Sequence, residues 1–555
     1  MSVHARRRVA LAGAALAVGA AAWIAGCGDG DAPPRTGAAA GRTTVWIAPG
    51  VPAGARAAVR AAVRASPSRF ALAPAASAAD LRVALAPGRR RAAGGSDRTP
   101  LATTVLVPVA PFPTIADSVP WAALRRFWRG DGPGMAGLTG GGAAPDLLVT
   151  AEARAALTAL LGSPARSAPV RTVAPRRLVD AAWDARAWSI VPFDELRPRW
   201  KALAVDGRSA LDRRLDLARY PLVARVVAAG PRDAALALRR ALARRGALTN
   251  RDPRRMTVLT MTGVTALSRG TAARMAANGP TYPAERVRAL LRDTDLLHIS
   301  NEVSFAEGCV PAHGMRFCSN PRDIALLDDV GADIIELSGN HNLDFGPEPA
   351  RATLRMYRRR GWRWFAGGRD DAEAHRPLTL AGRGTRLAFL GCNPVGPPYA
   401  LAAADHPGAA SCDQAAMARQ VRRLRARGYL PIVTFQHWET YQYAPTGQQV
   451  ADFGAMSAAG AAIVSGSQAH QPQGFAFDDG RLIHYGLGNL FFDQMQTLGT
   501  RQEVVDRHVF YAGRHLSTRL LTFLLEDYSQ PRPATPAERA QLLGSLFGAS
   551  GWPVS

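Results

Sequence analysis

Hydrophobic and polar positions in the first half of this chain switch repeatedly between a strand period and a helix period. Residues 44–48 (TVWIA) and 103–109 (TTVLVPV) read as strands, and residues 81–85 alternate like one. Residues 53–65 read as a helix whose polar face carries Arg56, Arg60 and Arg64. Residues 121–128 form a second amphipathic helix, and 147–149 and 188–193 two further strands. An Arg/Ala-rich helix over 231–245 is followed by polar and proline breakers to 255, which place a boundary near residue 250. The pattern then resets. Strands are predicted at 256–261, 296–299, 333–337, 386–390, 431–435, 461–464, 481–485 and 518–525, and helices at 283–292, 323–328, 348–360 and 448–458. Alternating strands and helices with polar clusters at strand ends describe an α/β protein. A length of 555 residues requires two or three domains.

One stretch organises the second half. Residues 334–337 (IIEL) end a buried strand, and residues 338–346 (SGNHNLDFG) make a polar loop before Pro347, at the first position of a helix. Loops at the carboxyl ends of strands are where α/β folds place their chemistry. Asn340 and His341 there offer an amide oxygen and an imidazole nitrogen, both competent metal ligands. Glu302, Asp344, His437 and His470 fall at similar strand ends. Such a nitrogen and oxygen set suits a divalent metal ion of unspecified identity.

Composition adds a compartment and a partner class. The hydrophobic content of 47% is ordinary. The formal charge of +24 is spread thinly along an Ala-, Gly- and Arg-rich chain, so no nucleic-acid partner is expected. It favours anionic lipid headgroups or an anionic polymer. Arg6-Arg7-Arg8 precedes an apolar run over 9–24 of signal-peptide length. The run ends in Ile24-Ala25-Gly26-Cys27, which resembles a lipoprotein lipobox, so Cys27 is the expected lipidation site. Residues 28–42 then read as a flexible tether. Four cysteines remain. Pairing neighbours gives disulfides Cys309–Cys318 and Cys392–Cys412, one of three connectivities; a zinc site is the alternative, without CxxC spacing to support it. The glycine-rich segment 140–144 lacks the Lys-Ser/Thr of a phosphate loop and reads as a linker.

Two resemblances sharpen this reading. VPVAPFPTIADSV with WAALRRFWRG, then AWSIVPFDELRPRWKALAVDG, then YPLV at 220–223, resemble a periplasmic solute-binding protein of the phosphate-binding type. This covers about residues 43–230 and implies two lobes around a cleft.

Residues 256–525 resemble the CapA family of capsule and poly-γ-glutamate synthesis proteins. The shared elements, in order, are Gly263-Val264 with Arg269; Asn301-Glu302; Asn340, His341, Asp344 and Gly346; His437, Trp438, Tyr441, Pro445 and Gln448; Gly466 to His470; and LGNLFFDQ at 487–494. The family is similar to calcineurin-type metallophosphoesterases. The implied organisation is a signal peptide (1–27), a tether (28–42), a two-lobed solute-binding-like α/β domain (43–250), a four-layer α/β/β/α metallophosphoesterase-like sandwich (251–530) and a tail (531–555). Two departures stand out: the family's first aspartate falls at Val264, and a histidine at Gln468. A two-metal centre needs a bridging carboxylate that Val264 does not provide.

The resemblance leaves one metal on Asn340, His437 and His470, completed by Glu302 or a water. It gives His341 the role of acid/base and Asp344 that of orienting it. Arg269, Glu439, Tyr441 and Asn489 are the candidate substrate contacts. The implied function is that of an exported, membrane-anchored lipoprotein acting on an anionic cell-envelope polymer by metal-assisted hydrolysis or release. The alternative is a non-catalytic envelope protein with a degenerate site.

Overall fold

The computed structural model describes residues 41–86, 98–131, 135, 138 and 145–552. Cys27, the tether up to residue 40 and the linker at 140–144 lie outside them. The chain divides between Arg42 and Thr43, and residues 43–555 make one unit.

The first half is built on the strand Arg98–Pro111. Its beginning pairs antiparallel with Val223–Ala229, and its end with Trp188–Pro192. Two cores follow from this sharing. One gathers Val45, Val59, Leu81, Val226 and Leu238. The other gathers Val107, Trp128, Leu148, Trp188 and Trp200. The two lobes thus share one nine-stranded mixed sheet.

The second half stacks two sheets. The eight-stranded sheet centres on Met256–Thr265, flanked by the parallel strand Leu296–Asn301 and the antiparallel strand Gln502–Tyr511. The six-stranded sheet centres on Leu430–Gln436 and Ile463–Ser467. Leu259, Met261, Ile334 and Phe510 of the first meet Leu387, Phe389, Ile432 and Ile463 of the second. Helix Pro347–Arg360 covers the outer face of the first sheet through Leu354 and Tyr357. Helices Gln414–Ala426 and Gly447–Ala458 cover the second through Val421, Leu424, Phe453 and Met456. The order of layers is therefore α/β/β/α, each sheet burying both faces.

Several elements differ from the sequence pattern. The strand starting at Met256 runs on to Thr265, because after a register shift Val264 and Thr265 pair with Asn489 and Phe491. Gly263 permits this, since a Cβ there would lie 2.1 Å from the Gly488 carbonyl oxygen. The helix predicted at 283–292 is broken into a 3-10 turn, Tyr282–Ala284, and a short helix, Arg288–Arg292. Arg286 pairs with Glu526 while Arg288 pairs with Asp329, so tertiary ion pairs draw neighbouring side chains to different elements. The strand Gln502–Tyr511 (QEVVDRHVFY) has a polar sequence yet is buried throughout. Residues 536–549 of the expected tail form a helix whose Leu542, Leu543 and Phe547 pack with Phe112 and Phe475, joining the two halves. Disulfides Cys309–Cys318 and Cys392–Cys412 are both formed. No helix among the described residues is long and apolar enough to cross a membrane.

Candidate functional site

The strands Leu296–Asn301, Ile334–Glu336, Leu430–Gln436 and Ile463–Ser467 release their loops at one end of the two sheets. A bridge between Val303 and His341 sets the first two loops side by side. Gly339 allows the approach, because a Cβ there would lie 2.7 Å from the Glu302 Cα. The Asn342 amide ties the 338–346 loop to itself by donating to the carbonyls of Leu337 and Gly339, at 3.2 and 3.3 Å. The Asn393 amide holds it from outside through the Ser338 carbonyl.

His341 is buried and fixed. Its Nδ1 lies 2.6 Å from Asp344 Oδ2, an oxygen that also accepts the Phe317 N–H at 2.7 Å. Tyr399 donates to the other oxygen at 3.1 Å. The Phe317 ring lies 4.0 Å from the imidazole. Burial alone lowers the imidazole pKa. The Asp344 hydrogen bond, with the charges of Glu302, Asp344 and Glu439, outweighs burial and holds His341 above the ordinary histidine value.

Glu302, Asn340 and Gln468 converge on one nitrogen that the motifs did not single out. Gln436 Nε2 lies 3.4 Å from both Glu302 Oε1 and Asn340 Oδ1 and donates closely to Gln468 Oε1. The second oxygen of Glu302 is buried without a hydrogen-bond partner. Gln468 Nε2 donates 3.2 Å to Glu439, which also accepts from Tyr441 at 2.7 Å. The His470 imidazole beside it, the Tyr441 hydrogen bond and the charges of His470 and His341 overcome burial and pull Glu439 down to about 2. Burial, then the bond to Glu439, pushes the Tyr441 phenol up.

Each histidine assigned to metal gives a nitrogen to another partner, while His437 Nδ1 is buried without one. His470 Nδ1 meets Asn489 Oδ1 at 2.9 Å, and its Nε2 lies 3.6 Å from Glu439. His437 Nε2 meets Asp452 Oδ2 at 3.1 Å. Among the described residues no three His, Cys, Asp or Glu side chains are grouped to hold an ion. Val264 sits in an apolar cluster with Val303, Phe317 and Phe492, and the Gln436 amide fills the point where the oxygens meet. With Val264 in place of a bridging carboxylate and the Gln436 amide where the oxygens meet, these residues do not form a two-metal cage, and the chemistry below is derived from the side chains alone.

Two expected substrate contacts, Asn489 and Arg269, are engaged by protein partners. Asn489 is fully buried, its amide engaged by His470, Gln494 and Thr500. Arg269 pairs with Asp493 and lies over the rings of Phe317 and Phe492. Glu439 and Tyr441 face the opening, beside the exposed Trp438. Arg269, Tyr441, Gln468 and His470 all adopt left-handed backbone, with φ of 48°, 48°, 74° and 55°. Strain in non-glycine residues of this kind gathers at functional sites. No sequence signal marks it.

Residues 258–494 match the family described as bacterial capsule synthesis protein PGA_cap. The capsule biosynthesis protein CapA of Bacillus anthracis is 26% identical over 220 residues, covering 39% of this chain and 53% of the relative. The PGA biosynthesis protein CapA of Bacillus subtilis (strain 168) is 26% identical over 194 residues, covering 34% and 50%. The chain thus spans about half the length of the curated relatives it matches. Among solved structures, a phosphate transport receptor from Vibrio cholerae gives a TM-score of 0.31 at 12% identity, over 37% of this chain and 96% of that one. A 5'-nucleotidase precursor from Thermus thermophilus gives 0.32 at 12% identity, over 52% and 58%. The resemblance to capsule-synthesis proteins is borne out over the region that carries the site.

Proposed function

We propose that this chain acts on an anionic cell-envelope polymer of the capsule or poly-γ-glutamate class, and that it hydrolyses or releases the polymer at the pocket around His341. The carrying observation is the Asp344–His341 pair standing beside Glu302, whose second carboxylate oxygen has no partner. In an amide hydrolysis Glu302 accepts a proton from water as its oxygen attacks the carbonyl carbon. His341, protonated and oriented by Asp344, donates a proton to the leaving nitrogen as the C–N bond breaks. Attachment to the membrane through a lipid on Cys27 completes the reading and places the site at the envelope.

The test is turnover of poly-γ-glutamate by the purified protein, followed by chain length and by release of new amines, with and without chelator. The expected result is turnover that survives the chelator and falls at least 100-fold in His341→Ala and in Glu302→Gln, the scale of positioned acid–base groups. Turnover unchanged in His341→Ala overturns the hydrolytic reading. Mass analysis of the amino-terminal peptide tests the anchor: a lipid mass on Cys27 is expected, and an unmodified thiol there refutes it.

A second reading is favoured by the Gln436 amide, whose contacts with Glu302, Asn340 and Gln468 close the centre of the pocket. In that reading the pocket binds polymer without cleaving it. Binding retained in a wild-type protein with no turnover would select it.

A further inference from the structure

In the first half of the chain the fold gathers arginines that the sequence scatters. Arg125 and Arg129 stand one turn apart at the end of helix Trp121–Trp128, about 6 Å along its axis. Arg225 projects from the strand Val223–Ala229, and Arg208 and Arg219 come from the loop over 206–222 that precedes it. The five line a groove of about 640 Å³. Four of them are exposed and Arg208 is half-buried. Among the described residues none of the five makes an ion pair or a side-chain hydrogen bond; Arg125 lies over the Trp121 ring. The groove's acid, Asp206, accepts the Trp121 N–H.

The adjoining groove, of about 570 Å³, is a built-in comparison. It shares Arg208 and Arg219, but its own arginines are largely neutralised: Arg213 by Asp295, and Arg214 and Arg507 by Asp293. Five guanidiniums without an ion-pair partner among the described residues repel one another in one recess, and a recess focuses their field. A ligand carrying several negative charges relieves that repulsion through charge-assisted, bidentate hydrogen bonds.

We infer that this groove binds an extended polyanion whose charges are closely spaced carboxylates. The shape argues against a bilayer, since the arginines line a recess that a flat surface meets only at the rim. A nucleic acid is disfavoured because neither aromatic residue of the groove offers a stacking platform: Tyr220 is buried with its hydroxyl on the Leu106 carbonyl, and the half-buried Trp121 ring lies against Arg125. The arginines carry the anionic chemistry; choosing poly-γ-glutamate as the probe rests on the function proposed above. In this arrangement the groove holds the polymer at the end of the molecule away from His341: the neighbouring groove reaches Val258 and Thr294, at the opening ends of strands whose far ends release the pocket loops.

The experiment titrates fluorescent poly-γ-glutamate into the purified full chain at several salt concentrations. Three versions are compared: wild type, Arg125→Gln/Arg219→Gln/Arg225→Gln, and Arg60→Gln/Arg64→Gln/Arg240→Gln, which removes equal charge elsewhere on the surface. All six side chains are exposed, so unchanged melting curves are expected. The groove variant is expected to bind at least tenfold more weakly with a shallower salt dependence, and the control variant within twofold of wild type. Equal weakening in both variants overturns the proposal by reducing it to net charge. A groove variant that loses binding to anionic vesicles or RNA while keeping poly-γ-glutamate also overturns it. Polymer binding that survives in the groove variant but is lost in Glu302→Gln overturns the groove and leaves the proposed function standing. No polymer binding by any version overturns both.

Discussion

Asp344 Oδ2 lies 2.6 Å from His341 Nδ1, and the same oxygen takes the Phe317 N–H, so one carboxylate both orients the imidazole and favours its charged form. His341 is raised in the folded state, so its contribution to stability is fully present below the unfolded value of about 6.5 and is lost as pH rises through the folded value. Asp344→Asn removes the charge and replaces one of the two accepting oxygens with an NH2 donor. It is expected to lower the His341 pKa, seen by NMR titration, and to move the high-pH limb of turnover to lower pH. An unmoved limb would separate His341 from the acid role.

Phe317 is next to Cys318, so the Cys309–Cys318 disulfide braces the ring that covers His341. Cys309→Ser/Cys318→Ser and Cys392→Ser/Cys412→Ser are each expected to cost about 3 kcal/mol in denaturant unfolding, from the loops they close. The first variant is expected to lose more turnover than the second. Equal loss in the two would show that the brace acts only on stability.

Asp493 accepts from Arg269 and from the Gly270 N–H at 2.8 Å, and Arg269 lies between the rings of Phe317 and Phe492. Asp493→Ala leaves a largely buried guanidinium without its carboxylate. A loss of about 3 kcal/mol is expected by urea unfolding. A loss under about 1 kcal/mol would show that Arg269 finds another partner.

His508 is fully buried, and burial pushes it down to about 3, with Asp506 opposing and His515, His484 and His298 reinforcing the shift. Its folded value lies below the unfolded one, so the unfolded chain binds the extra proton between about pH 6.5 and 3. Stability contributed by the neutral imidazole is present above about pH 6.5 and falls by about 4 kcal/mol as pH drops to about 3. His508→Asn is expected to flatten stability over that window. The same acid slope in both proteins would assign it to other groups.

The sequence by itself determined the alternation of strands and helices and the clustering of polar loops at strand ends. These follow from the period of buried positions, which is a local property. Helices Trp121–Trp128 and Pro347–Arg360 were legible for this reason. The strand Gln502–Tyr511 was not, because its Glu503, Asp506 and His508 are buried by neighbours distant in sequence. The motifs marked His341, Asp344 and Glu302, but not that His437 turns to Asp452 or that Gln436 enters the centre of the pocket. Such choices depend on which partner lies within about 3 Å, and only the packed sheets decide that. The arginines show the same division. Along the chain Arg125, Arg129, Arg208, Arg219 and Arg225 are diffuse positive charge; the fold places them in one recess, where their fields add.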